Sequence, residues 1–264
     1  MFNNYIKEEI KMKKTGKEDI KLFNKKFKKI QEKGFIKSTN NRNLSVGVTF
    51  EKEIGKSWEN FEIPDFGKLE IKVKCSNYEN YISLFSATPD SYLFEIKRIH
   101  EKYGYSDKEF SNFKVFNSVF YGDRYTNIHN CYRAKLKIDK VKEKIYLNIY
   151  DYEMNLVDNQ TSWTYDLLKE KLFRKLEYLV YVKAISKFLS NILYFKYIDA
   201  NYYKLKNFDN FINCIENGSI RIAFRISVFK NEYRFGQIHD HGTTIQIDQY
   251  KLSNLFQKID LDEI

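Results

Sequence analysis

The residues best placed to do chemistry form one short run, Pro64-Asp65-Phe66-Gly67-Lys68-Leu69-Glu70-Ile71-Lys72. If residues 68–74 are a strand, side chains alternate between its faces. Glu70, Lys72 and Lys74 then share one face, and Leu69, Ile71 and Val73 take the other. Asp65 lies just ahead of the strand and can turn toward Glu70. Two carboxylates a few ångströms apart repel each other, and a divalent cation with oxygen ligands satisfies both. Mg²⁺ suits such a pair, because it keeps several waters and takes only one or two protein carboxylates. A water bound there can attack a phosphodiester while the cation stabilises charge on the phosphoryl oxygens. Lys72 would hold or help deprotonate that water, and can also stabilise the pentacovalent phosphorus. Ile71 points into the core and can offer its backbone carbonyl to the metal. The spacing alone describes the wet side of an ordinary sheet equally well, so the surrounding elements carry weight.

Ahead of this strand, Ile6, Ile10, Ile20, Phe23, Phe27 and Ile30 recur at mostly helical spacing with lysines between them. Residues 5–33 are therefore expected to form one or two amphipathic helices ending near Gly34. A polar stretch over 38–43 reads as a loop, and Val46-Gly47-Val48-Thr49-Phe50-Glu51 opens a helix that stops near Gly55. Beyond the strand, 81–85 is expected to pair with it through a turn near 76–80. Further strands are expected over 114–121, 132–138, 144–150, 176–184, 192–198, 219–229 and 243–247. Helices are expected over 91–103, 165–173 and 207–217, with a closing helix over 251–259. Strands and helices mix without regular βαβ alternation, which predicts an α/β or α+β mixed sheet.

The 264 residues suffice for one large domain or two lobes, and 43% are hydrophobic, with 22 Phe and 21 Tyr to fill a core. Two prolines and ten glycines argue against disorder. The net charge of +10 favours polyanions. Residues 1–43 hold thirteen Lys/Arg against five Asp/Glu, and these lysines suit phosphate contacts. Three scattered cysteines, Cys75, Cys131 and Cys214, fit a reducing cytosol. The polar start of the chain lacks the apolar core of a signal peptide, and nothing approaches eighteen apolar residues, so a cytoplasmic location without a membrane is expected.

The surrounding motifs sharpen the reading. The segment Val46 to Glu51 with Gly55, then Pro64-Asp65-Phe66 and Leu69-Glu70-Ile71-Lys72, is followed by Ser83-Leu84-Phe85-Ser86-Ala87-Thr88-Pro89. Later come Tyr194-Phe195-Lys196-Tyr197, then Phe208, Phe211, Ile215 and Glu216-Asn217-Gly218-Ser219-Ile220, then Arg225, then Ile238-His239-Asp240-His241-Gly242-Thr243, and finally Leu252, Leu255 and Phe256. In this order the series resembles the MvaI/BcnI restriction endonucleases, patchily over 44–90 and 163–259. Two positions depart from the pattern. Lys68, not glycine, precedes the apolar-Glu-apolar-Lys core, and Ile245-Gln246 stands where an aromatic and an arginine are expected.

The resemblance implies a PD-(D/E)xK restriction-endonuclease-like fold, a mixed central sheet flanked by helices with two lobes forming a DNA-binding cleft. It divides the chain into a basic helical segment over 1–43, a catalytic lobe over 44–190 and a DNA-recognition lobe over 191–264, interleaved in one unit. It adds the helix residue Glu51 to Asp65, Glu70 and Lys72 as the catalytic set, with Asp65, Glu70 and the Ile71 carbonyl toward Mg²⁺. It makes Arg225, His239, Asp240 and His241 DNA-reading residues, where Arg and His donors meet guanine acceptors and Asp240 accepts from a cytosine amino group. A plain loop or a zinc-binding H-x-H pair are the alternatives for the histidines, and no third ligand lies near in sequence. The implied activity is a Type II restriction endonuclease acting on double-stranded DNA, as a monomer cutting one strand at a time and leaving 5′-phosphate ends. A cognate DNA methyltransferase would protect host DNA. A MutH-like nicking enzyme of repair and a non-catalytic basic nucleic-acid-binding protein are the competing readings.

Overall fold

The computed structural model describes residues 16–40, 45–55, 63–75, 80–90, 92–230 and 232–263. It divides into two units, each discontinuous in sequence: residues 1–79, 173–205 and 256–264 in the first, residues 80–172 and 206–255 in the second.

Among the described residues of the first unit, helix α1, Gly16–Glu32, comes first; it buries Ile20, Phe23, Phe27 and Ile30 and turns its lysines outward. Ile6 and Ile10 lie outside the described residues. Strand β1, Ile36–Lys37, and helix α2, Ser45–Ile54, follow. Strand β2, Leu69–Cys75, keeps the expected alternation, with Leu69, Ile71 and Cys75 buried in the core beneath α1 and α2. The Phe50 ring joins these layers, 6.1 Å from Phe23 and 4.8 Å from Tyr197.

In the second unit, β3, Tyr81–Ser86, is a strand as expected, but it does not pair with β2. It lies antiparallel to a much later strand, and β2 takes a parallel partner, strand β11 (Tyr178–Leu189), over Leu69↔Tyr178 to Cys75↔Ala184. Adjacent strands in sequence suggest a hairpin. Here β2 has found a longer apolar partner in β11, β3 has taken the later strand, and the two belong to different units.

The intervening elements are α3 (Tyr92–Tyr103), β4 (Tyr105–Ser106), β5 (Lys114–Phe120), β6 (Thr126–Ile128), β7 (Tyr132–Asp139), β8 (Lys144–Tyr150), β9 (Leu156–Asp158), β10 (Ser162–Thr164) and α4 (Tyr165–Lys175). Then come β11 (Tyr178–Leu189), β12 (Ile192–Leu205), α5 (Phe208–Glu216), β13 (Ile220–Val228), β14 (Ile238–Asp240), β15 (Thr244–Asp248), a short α6 (Leu252–Leu255) and β16 (Phe256–Ile259). β11 and β12 run longer than expected because Ser190 and Asn191, both at positive φ, close them into a tight two-residue hairpin.

Among the described residues the strands form three sheets rather than one: β1-β12-β11-β2 with β16 on β12, β10-β8-β7-β6 with β9 on β8, and β3-β15-β13-β5-β4 with β14 on β13. The closing helix expected over 251–259 is confined to Leu252–Leu255. Phe256–Ile259 instead extends to pair with Tyr202–Leu205 of β12, whose edge there satisfies backbone groups a helix would have had to satisfy internally. In the second unit the core is aromatic, with Trp163 against Phe224 and its indole N–H donating to the Ala87 carbonyl at 2.9 Å. No helix among the described residues is long and apolar enough to cross a membrane.

Candidate active site

Glu70 and Lys72 project from the face of β2 opposite the core, as period-two geometry requires. The turn ahead of them is tightly built. Phe66 and Leu69 exchange backbone hydrogen bonds of 2.9 and 2.8 Å around Gly67, whose φ is +57°. Asp19, buried on α1, accepts the Lys68 amide at 3.0 Å and packs where a Gly67 side chain would have to go. Asp65 is then held against the strand, its carboxylate accepting the Ile71 amide at 2.8 Å.

Glu70 is the centre of this arrangement. Its side chain is only 1% exposed, yet its Oε1 accepts Lys72 Nζ at 2.6 Å and contacts Lys175 Nζ at 3.3 Å. Its Oε2 is buried with no hydrogen-bond partner among the described residues. Burial pushes the Glu70 carboxyl above its usual value; Lys72 and Lys175 pull it down, and the Asp65 charge pushes it further up. An orphaned buried carboxylate oxygen costs about 1–3 kcal/mol. The donor set therefore fits a divalent cation: two mutually repelling carboxylates, one with a vacant lone pair. Among the described residues no group of three His, Cys, Asp or Glu gathers to cage a metal, so water would complete the coordination.

Glu51 lies in the second half of α2, half-buried beside Phe50, rather than in its opening turn. The Tyr197 hydroxyl donates to the Val46 carbonyl at 3.0 Å and fixes the start of that helix. Direct contacts and charge join Asp65, Glu70 and Lys72, and they add Lys175, the last residue of α4, which the sequence did not single out.

In the second unit, Arg225 on β13 and the His239–His241 segment come together. The His241 amide donates to the Arg225 carbonyl at 2.9 Å, and Arg225 Nη2 donates to the His241 carbonyl at 3.4 Å. The His239 ring stacks on Phe229 at 4.0 Å and lies 3.9 Å from the His241 ring, while His241 Nε2 meets Ser227 Oγ at 2.8 Å. Burial, His239 and Arg225 lower the His241 pKa, against the opposing pull of Asp240. Asp240 Oδ1 accepts the Gly242 amide at 2.8 Å, and its Oδ2 is buried without a hydrogen-bond partner among the described residues. His239 and Asp240 thus belong to a short strand, β14, rather than a plain loop.

The model of the MvaI/BcnI restriction endonuclease family matches residues 24–256. This chain belongs to that family. It is similar to the solved structure of the restriction endonuclease MvaI with its cognate DNA substrate: 26% identity over 91% of this chain and 97% of that one, TM-score 0.83. It is also similar to MvaI in the absence of DNA: 25% identity over 94% and 99% of the two chains, TM-score 0.61. None of the curated protein sequences matches it.

As an MvaI/BcnI endonuclease the chain shows two local departures, and the structure gives each a physical setting. Gly67, one place early, occupies the positive-φ corner of the turn, while Lys68 supplies the amide that Asp19 binds. Gln246 on β15 is engaged by a neighbouring arginine, with Arg221 Nε donating to its Oε1 at 2.7 Å. Arg221 and Arg225 share one face of β13, since its pairing runs without a bulge from Arg221↔Gln246 to Arg225↔Asn117.

Proposed function

We propose that this protein is a Type II restriction endonuclease, a Mg²⁺-dependent and sequence-specific hydrolase of DNA phosphodiester bonds. The observation that carries the reading is Glu70, a buried carboxylate with one oxygen held by two lysines and the other without a hydrogen-bond partner among the described residues, beside Asp65. A fold spends stability on such a group where a ligand repays it in function.

Asp65 and Glu70 would hold the cation, with the Ile71 carbonyl beside them. The Ile71 N–H already faces Asp65, and in a strand the carbonyl of a residue points to the same edge as its N–H. Bound there, Mg²⁺ supplies Lewis acidity toward the scissile phosphate and lowers the pKa of water. Lys72, anchored through Glu70 Oε1, orients the attacking water and lies against the charge that grows on phosphorus. Lys175 shares that carboxylate and, with Lys72, pulls the Glu70 pKa down against the effect of burial. Glu51 assists from α2. Water adds to phosphorus, the P–O3′ bond breaks, and the products are a 5′-phosphate and a 3′-hydroxyl.

The first unit would carry the hydrolysis and the second the reading of the sequence. Arg225, His239 and His241 are donors suited to guanine N7 and O6, and Asp240 is an acceptor suited to a cytosine amino group. One catalytic set per chain suits a monomer that cuts one strand at a time. The role implies a cytoplasmic enzyme paired with a DNA methyltransferase of the same specificity.

The test is incubation of the purified chain with unmethylated phage DNA, in Mg²⁺ or in EDTA, beside the Lys72→Ala variant. Discrete fragments requiring both Mg²⁺ and Lys72 are expected. Intact DNA in every lane, with binding retained, would replace this reading with a non-catalytic DNA-binding one. Nicked circles that never become linear would favour a repair nickase.

A further inference from the structure

The outer face of β13 carries Arg225, Ser227 and Phe229 in alternation, while Phe224, Ile226 and Val228 are buried on the other. β14 lies alongside in antiparallel register, with Ser227 opposite His239. The backbone bond from the His241 amide to the Arg225 carbonyl continues the pairing past Asp240, and the bond from the Phe229 amide to the Gln237 carbonyl continues it the other way. Phe229 and Ser227 each reach the residue diagonal to them, a distance side chains across a ladder can span. The Phe229 ring lies on His239, 4.0 Å between centres and 12° from parallel, and Ser227 Oγ meets His241 Nε2 at 2.8 Å. The two contacts run along parallel diagonals of one ladder.

Each contact removes a freedom that matters at a base edge. An imidazole meets a base through a nitrogen in the plane of its ring, so the plane and the protonated nitrogen both decide what it reads. The plane of His239 is set by the Phe229 ring stacked on it and by the His241 ring 3.9 Å away. With Nε2 of His241 turned to Ser227, Nδ1 is the ring nitrogen left for a ligand. Burial, His239 and Arg225 hold the His241 pKa below its ordinary value against the pull of Asp240, which favours the neutral ring with one N–H and one lone pair. A hydroxyl that donates to Nε2 places that single proton on Nδ1, the form able to donate to guanine N7 or O6.

We propose that Ser227 and Phe229 are positioning residues of the sequence-reading site. Ser227 donates its hydroxyl proton to His241 Nε2 and holds the ring as the Nδ1–H tautomer. Phe229 fixes the plane in which His239 presents its edge to a base. Both act through the histidines they hold, so this deepens the base-reading role proposed above for His239 and His241 and rests on it.

The test is equilibrium binding by fluorescence anisotropy, with Ca²⁺ in place of Mg²⁺ so that no cleavage step enters. The probes are the duplex that the wild type selects from a randomised pool and duplexes with one base pair of that sequence replaced at a time. Ser227→Ala should melt as the wild type does and lose about two- to tenfold in discrimination. The loss should fall at the base pair where His241→Ala also loses it. The Ser227→Ala/His241→Ala double variant should be no worse than His241→Ala alone. Ser227→Thr, which keeps the hydroxyl, should restore discrimination. Phe229→Leu should lose discrimination at the base pair that His239→Ala loses, and Phe229→Tyr should keep it. Nitrogen NMR should show His241 protonated at Nδ1 in the wild type and a return of the Nε2–H tautomer in Ser227→Ala. An Nε2–H ring in the wild type, additive losses in the double variant, or full discrimination by Ser227→Ala and Phe229→Leu where the histidine variants lose it, overturns the positioning role and leaves the base reading standing. Full discrimination by His239→Ala and His241→Ala removes the base reading, and the positioning role with it.

Discussion

If Glu70 and Asp65 hold a divalent cation, that cation must stabilise the fold, and by an amount that can be worked out. The Glu70 carboxyl is raised by burial and by Asp65, against the pull of its two lysines. Its folded pKa therefore lies above its unfolded value. The stability this contributes is fully present below the unfolded pKa and is lost as pH rises through the folded pKa, so above that pKa ionised Glu70 weighs against folding. A cation that binds the ionised pair offsets this. Stabilisation follows RT ln(1 + [L]/Kd), so each tenfold rise in concentration beyond Kd adds about 1.4 kcal/mol. At about 2–4 °C per kcal/mol for a chain approaching this size, the melting temperature should climb by roughly 3–6 °C per decade of Mg²⁺. The assay is thermal unfolding without DNA, across several decades of Mg²⁺ or Ca²⁺, between pH 8 and pH 5. The climb should shrink as pH falls, because protons then compete for Glu70. Glu70→Gln keeps the shape and removes the charge, and its melting temperature should be flat in Mg²⁺. A Glu70→Gln protein that climbs as steeply as the wild type would refute the reasoning, since the cation would then be bound elsewhere.

Three further outcomes follow from the same geometry. Lys175 lowers the Glu70 pKa, so Lys175→Ala should slow single-turnover cleavage by about ten- to a hundredfold and move the acidic limb of the pH–rate profile upward; an unmoved limb would reduce Lys175 to a surface contact. Gly67→Ala places a side chain at positive φ against the Asp19 carboxylate. It should cost about 1–3 kcal/mol in urea unfolding and lower the affinity for Mg²⁺, because the same turn sets Asp65 against Glu70. Arg225→Ala should cost about 1–3 kcal/mol in binding a cleavable duplex and almost nothing on a scrambled one; an equal loss on both would make it a phosphate contact.

What the sequence shows of this protein and what it hides divide along a physical line. Where local periodicity decides, the sequence is legible. The apolar spacing of Phe23, Phe27 and Ile30 gives α1, and the alternation over 69–75 gives β2 and sets Glu70 beside Lys72. Where a choice of partner decides, it is not legible. An apolar strand such as 81–86 states that it needs a neighbour but not which one, and the nearest strand in sequence was not the one it took. The same holds at the end of the chain. Leu252, Leu255 and Phe256 are buried, consistent with one helical face, yet the backbone after Leu255 extends because β12 offers it an edge.

Lys175 illustrates the limit most clearly, because nothing in its own neighbourhood marks it. It is one lysine among many, in the last turn of a helix, where a cation is favourable on dipole grounds alone. Its place beside Glu70 is a consequence of pairing. β11 runs parallel to β2 with Tyr178 opposite Leu69, so a residue three positions before β11 begins must lie near the end of β2 where Glu70 stands. A parallel pair cannot be closed by a short turn, and here the crossover between the two strands contains the long first segment of the second unit, residues 80–172. The fourth polar group of the candidate site is thus specified by the register of two distant strands. Slipping that register by one residue would turn Glu70 and Lys72 into the core, and the burial of Leu69, Ile71 and Cys75 is what prevents it.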